Sequence, residues 1–259
     1  MAGNDRRGFI RQPRDERLLR ELALIRLTDR EMAKLIAGFH STTRANARLL
    51  ALVNAGLLRR FFEGTEAGGR KALYTLSPKG ARLIGIPYQG LRFGKDELIV
   101  TNFFIAHQMA VNEIYCAMKF GKAPVPSIQF VRWLAFSEPL SRAIPVIPDG
   151  YCEFRTLQDA LAAFLEVDLG HEGASVWRKK VGNYLRYAAS GNFDERFGQN
   201  RFRLLVVANS KERLQVIRKV VRSLTNKIFW FSTFEAIRRE GPWGPVWLRP
   251  ADDTLRPLV

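Results

Sequence analysis

Cysteine is nearly absent from this chain of 259 residues: Cys116 and Cys152 are the only two, far apart and without histidines at ligand spacing. Neither a disulfide framework nor a zinc site is suggested, and both thiols are expected to be buried, as free cysteine usually is. Histidine is scarce as well, with only His40, His107 and His171, which argues against a histidine metal centre or a hydrolase triad. No stretch reaches the roughly eighteen uninterrupted apolar residues of a spanning helix. The charged start (Asp5, Arg6, Arg7, Arg11, Arg14) lacks the apolar core of a signal peptide. The expected setting is therefore the cytoplasm, with no membrane partner. There is no Gly-x-x-x-x-Gly-Lys-Ser/Thr phosphate loop and no Gly-x-Ser-x-Gly elbow. Acidic residues fall short of basic ones, 25 against 41, and the resulting +16 favours a polyanion.

Apolar residues are plentiful at 47 %, and the length suits two domains better than one. In the first segment, Leu18, Leu19, Leu22 and Ile25 recur at helical spacing within Arg14 to Leu27, which predicts an amphipathic scaffold helix. Thr28-Asp29-Arg30-Glu31 reads as a capping box that opens a short helix ending near Ile36, and Gly38 permits a tight turn. Ser41 and Thr42 offer a second N-cap. Ala45, Leu49, Leu50, Leu52 and Val53 then form the inward stripe of a third helix that stops at Gly56. Strand-like runs at Leu57 to Glu63 and Lys71 to Leu76 flank a turn-forming tip from Gly64 to Gly69, and Ser77-Pro78-Lys79-Gly80 starts another helix.

This order of helices and hairpin resembles the winged helix-turn-helix superfamily. The resemblance implies that the third helix enters the major groove of double-stranded DNA, with Thr42, Thr43, Arg44, Asn46 and Arg48 facing it. It also places Arg59, Arg60, Arg70 and Lys71 along the wing, where they would neutralise phosphates.

Periodicity beyond this module predicts a helix over Asp96 to Met118 in which His107, Asn112 and Glu113 are polar exceptions. It then predicts strands at Ile128 to Phe136, Tyr151 to Arg155 and Ala162 to Leu169, and a helix over Ser175 to Ala189. A buried strand (Arg203 to Ala208), a helix (Lys211 to Leu224) and a last strand (Ile228 to Phe234) complete an α/β layout. The late basic residues Arg213, Arg218, Lys219, Arg222 and Lys227 are a second candidate for phosphate contact. Trp230, Trp243 and Trp247 are expected to pack on the sheet edge or on a second subunit.

Acidic residues in this apolar region carry the candidate chemistry. Strand alternation puts Glu166 and Asp168 on one face, where Asp149 can meet them across the strand pair. Three carboxylates together repel unless a cation neutralises them, so Mg2+ or Mn2+ is the expected cofactor, held by Asp149, Glu166 and Asp168. Such a site would activate water for phosphodiester cleavage.

Pro148-Asp149-Gly150, then Glu166-Val167-Asp168 closing the next strand, then a helix, resembles the PD-(D/E)xK nuclease-like fold of restriction endonucleases and Holliday-junction resolvases. Glu113 matches an extra acidic position that some members carry. Together with the winged helix, His107, Lys180 and Tyr184, the pattern is also similar to the replication-relaxation family of plasmid and mobile-element proteins. One departure stands out: Asp168 occupies the place of the nuclease lysine, which positions the attacking water. Lys180 or Lys179 on the following helix is the candidate replacement. The resemblance thus implies a catalytic set of Asp149, Glu166, Asp168, Lys180 and Glu113, and leaves open whether the site cleaves.

The expected organisation is a basic tail over 1–12, a winged helix-turn-helix over 13–88 and a restriction-endonuclease-like mixed sheet flanked by helices over 89–259, an α+β or α/β class. The expected function is DNA binding in plasmid or mobile-element replication, relaxation or transfer, with a metal-dependent endonuclease or an inactive relative of one. The alternative is a winged-helix transcriptional regulator whose C-terminal domain mediates dimerisation or partner binding without catalysis. A second copy of the chain and replication or mobilisation proteins are candidate partners beside DNA.

Overall fold

The computed structural model describes residues 10–64, 68–88, 102–121, 128–156 and 160–259. Arg6, Arg7, the wing-tip residues 65–67 and the expected helix start at Asp96 lie outside them. Two compact units divide the chain, Met1–Cys116 and Ala117–Val259.

The first unit begins with α1 (Pro13–Ile25), where proline takes the first helical position and Leu18, Leu19, Leu22 and Ile25 form the buried stripe. Thr28 does not cap the next helix. It lies in the two-residue strand β1 (Thr28–Asp29), and Asp29 Oδ1 instead accepts the Met32 N–H at 2.8 Å to start α2 (Arg30–Ala37). The cap moves by one residue because Thr28 is drawn into extended pairing with Tyr74. Gly38 ends α2 at φ 68°. Ser41 caps α3 (Thr42–Asn54), which buries Ala45, Leu49 and Leu52.

The wing is β2 (Leu58–Gly64) against β3 (Arg70–Leu76), antiparallel from Leu58↔Leu76 to Gly64↔Arg70, in a sheet of order β1-β3-β2. Next comes α4 (Pro78–Leu83), and a Cβ at Gly80 would stand 2.3 Å from the Leu57 carbonyl oxygen, so only glycine fits. Helix α5 (Asn102–Phe120) begins in this unit and runs past its end at Cys116. Its polar exception Asn112 is buried and donates to the carbonyls of Ile25 and Leu27, at 2.9 and 2.6 Å. That satisfies two acceptors of the irregular turn at Arg26, where φ is 63°.

The second unit is built on a seven-stranded mixed sheet flanked by helices. Strands β4 (Gln129–Leu134), β5 (Gly150–Arg155) and β6 (Ala160–Asp168) run antiparallel. Helices α6 (Ala174–Ala189) and α7 (Asn192–Phe197) lead to β7 (Arg203–Ala208), parallel to β6. Helix α8 (Lys211–Arg222) leads to β8 (Phe229–Thr233), again parallel. The short elements α9 (Phe234–Glu240), β9 (Trp247–Arg249) and β10 (Asp252–Arg256) complete the sheet.

Tyr151 pairs with Phe164, so the two share a face, and Phe164 is the centre of an aromatic core with Tyr184, Tyr187, Phe193 and Phe202. Trp243 and Trp247 are buried within the same chain, Trp243 edge-on to Phe154. Both cysteines are buried, and neither is in a disulfide.

Candidate nucleic-acid interface and buried acidic centre

In the N-terminal unit the surface around α3 and the wing is cationic. Thr43, Arg44 and Asn46 are exposed on α3, and Arg59, Arg60 and Arg70 are exposed on the wing strands. A cleft between α2, α3 and β3 is lined by Arg30, Arg70 and Lys71 together with Asp29, Glu31 and Asn46. Three of the expected contacts, Lys71, Thr42 and Arg48, are engaged within the protein: Lys71 pairs with Asp29 at 2.7 Å, and half-buried Thr42 receives a hydrogen bond from Lys34. Arg48 is turned against α1 and pairs with buried Asp15. Arg60 lies over the ring of exposed Phe62, 5.1 Å from its centroid.

In the C-terminal unit the strand register puts Asp149, Tyr151 and Glu153 on the same face as Phe164, Glu166 and Asp168, the face that α6 covers. Glu166 is 1 % exposed, and Lys180 Nζ reaches its Oε2 at 2.7 Å. Tyr184, one turn further along α6, donates to Oε1. Lys180 also contacts Glu172 at 2.7 Å. Burial pushes the Glu166 carboxyl up to about 7; Lys180 pulls it down, while the neighbouring charge of Asp149 pushes it further up. Burial alone would lower the Lys180 ammonium, but Glu166 and Glu172 outweigh this and raise it.

Asp168 is placed differently. Both of its oxygens are taken by Arg213 of α8, at 2.6 and 2.7 Å, and Oδ2 also accepts the Trp177 indole N–H at 2.8 Å. Burial would raise this carboxyl, but hydrogen bonds from Arg213, Trp177 and the Gly170 amide hold it below the ordinary carboxylate range. Asp149 Oδ2 accepts the Val167 N–H at 2.7 Å. A further buried acid, Glu153, is held by Arg132 at 2.6 Å and by the Tyr151 hydroxyl.

Of the expected carboxylate trio, Glu166 and Asp168 are each met by a different side-chain cation. Among the described residues, no three of the His, Cys, Asp and Glu side chains gather as a metal site. Lys180 takes one Glu166 oxygen and Tyr184 the other, while Arg213 takes both oxygens of Asp168. Glu113 lies on α5 in the N-terminal unit and is half-buried. His107 sits beside the Phe103 ring on the same helix.

Sequence reasoning missed the roles of Glu172, Arg132, Glu153 and Trp177, and placed Arg213 among phosphate contacts. Arg218 is likewise withdrawn from solvent, donating to the carbonyls of Arg249 and Asp252. For the charged ones among them the only signal was charge in an otherwise apolar region.

The model of the replication-relaxation family matches residues 17–201, more than half of the chain. The chain belongs to the replication-relaxation family. Neither the curated proteins nor the solved structures gave a match. The family match takes in the winged-helix elements from α1 onward and the acidic centre through α6 and α7, and ends before β7. Arg213, which neutralises Asp168, thus comes from outside the matched segment. Among the described residues, no helix is long and apolar enough to cross a membrane.

Proposed function

We propose that this replication-relaxation protein binds double-stranded DNA of a plasmid or other mobile element and acts in its replication, relaxation or transfer. The N-terminal unit grips the duplex through α3 and the wing, and the C-terminal unit is a nuclease-like scaffold that does not cut. The observation that carries the first part is the exposure of Arg44 on α3 and of Arg59, Arg60 and Arg70 on the wing strands. Guanidiniums in such a surface neutralise phosphates, while Thr43 and Asn46 are of a size and polarity to read base edges. What supports the second part is the pairing of three acids on the α6-facing side with cations of the chain itself: Glu166 with Lys180, Asp168 with Arg213 and Glu153 with Arg132.

Binding is tested by titrating the full chain against labelled duplex at several salt concentrations. A steep salt slope is expected, and Arg44→Ala should cost ~1–3 kcal/mol. A shallow slope, with Arg44→Ala indistinguishable from wild type, rejects the DNA reading. Cleavage is tested with supercoiled plasmid and Mg2+ or Mn2+. Intact plasmid is expected, and nicking abolished by Asp149→Ala or Glu166→Ala rejects the scaffold reading.

A further inference from the structure

Arg48 occupies a recognition-helix position yet serves another element. Its Nε donates to Asp15 Oδ1 at 2.8 Å, a second contact closes a bidentate pair, and its Nη2 donates to the Ile10 carbonyl at 2.7 Å. Asp15 in turn accepts the Gln12 N–H at 2.7 Å and is 1 % exposed. One guanidinium on α3 thereby fastens residues 10–15, the entry to α1, against the flank of α3. A planar fork with several fixed donors can hold a carboxylate and a carbonyl together, and an ammonium cannot hold them in the same way.

Three exposed arginines sit on this fastened segment and its first turns: Arg11, Arg14 and Arg17. The Arg14 guanidinium lies 5.1 Å from the centroid of the Phe39 ring. That of Arg17 lies against Gly38, 3.1 Å from where a Cβ would stand. Both therefore border the α2–α3 turn, which runs directly into Ser41, Thr43 and Arg44. Glu16 offsets part of this charge, 2.8 Å from Arg20 and 3.8 Å from Arg11. An ordinary solvated helix face would need no buried ion pair to fix its start beside the recognition helix.

We infer that Arg11, Arg14 and Arg17 form a phosphate-binding rim that extends the DNA face from α3 onto α1. Arg48 is the positioning residue that holds this rim in register with α3, and makes no base contact itself. This rests on the duplex-binding reading above and adds a second strip of backbone contacts to it.

The test uses the full chain, a labelled random-sequence duplex and anisotropy titrations over a range of salt. The Arg11→Ala/Arg14→Ala/Arg17→Ala variant should lower the slope of log K against log salt by about 2.7, three contacts at about 0.9 each. Arg48→Ala and Arg48→Lys should each flatten the slope in the wild-type background and add little to the triple variant, because their effect passes through the rim. A triple variant with the wild-type slope overturns the rim. An Arg48→Lys variant that weakens binding equally in both backgrounds overturns the positioning role. The triple variant alters only exposed side chains, so its result stands even where Arg48→Ala lowers the melting temperature. A wild-type chain with no salt-dependent retention removes the duplex reading itself, an outcome distinct from a wild-type slope in the triple variant.

Discussion

Arg213 closes both carboxylate oxygens of Asp168, reaching from α8 to the end of β6 across a separation of 45 residues. The pair is nearly dry, with side-chain exposures of 16 % and 0 %. Removing two ions from water is costly, and only this fork geometry with the added Trp177 and Gly170 hydrogen bonds offsets it.

Arg213→Ala therefore leaves a buried, unpaired carboxylate. The expected loss of stability is about 3–5 kcal/mol, the usual cost of breaking a buried pair from one side. Urea unfolding followed by tryptophan fluorescence checks it, and Arg213→Lys should recover only part of the loss because the ammonium cannot bind both oxygens. A variant as stable as wild type would show that Asp168 finds another cation.

Glu166 gives the fold a pH dependence of defined sign. Its folded-state carboxyl is raised to about 7 from an ordinary 4.5, chiefly by burial. Between these values the folded chain holds a proton that the unfolded chain releases, so this residue's contribution falls as pH rises through that window. Relative to Glu166→Gln, wild type should lose up to about 3 kcal/mol between pH 4.5 and 7. Melting curves of both proteins at pH 5 and pH 7.5 check the sign, and a difference that grows in the opposite direction would sink the assignment.

Gly150 follows Asp149 in the acidic motif, yet packing explains it. A Cβ there would stand 2.3 Å from the Trp133 ring on neighbouring β4. Gly150→Ala should destabilise by about 1–3 kcal/mol through overpacking, and shortening the obstacle with Trp133→Leu should make the two changes less than additive. Full additivity in the double-mutant cycle would place the need for glycine elsewhere.

Much of this organisation is written locally. The leucine stripe of α1, Gly38 at its positive φ, the Ser41 and Ser77 caps, the wing strands and the run of strands and helices through α8 follow from side-chain period and turn chemistry, which act over a few residues. The same local logic misplaced the Thr28 cap, because pairing with Tyr74, far along the chain, decides which residue is extended. It passed over α7, α9, β9 and β10, which are too short to show a period. For the tryptophans of the tail two places were open, the sheet edge or a second subunit, and the tertiary structure buries Trp243 and Trp247 within the chain.

The sequence by itself determined the excess of positive charge, the helical and strand periods, the winged order of elements and the placing of Glu166 and Asp168 on one strand face. Only the tertiary structure decided which cation meets which acid: Lys180 for Glu166, Arg213 for Asp168, Arg48 for Asp15. The reason is physical. A buried carboxylate requires a counter-charge from any element that packs over it, and that element is chosen by the three-dimensional path of the chain, which no short-range pattern records.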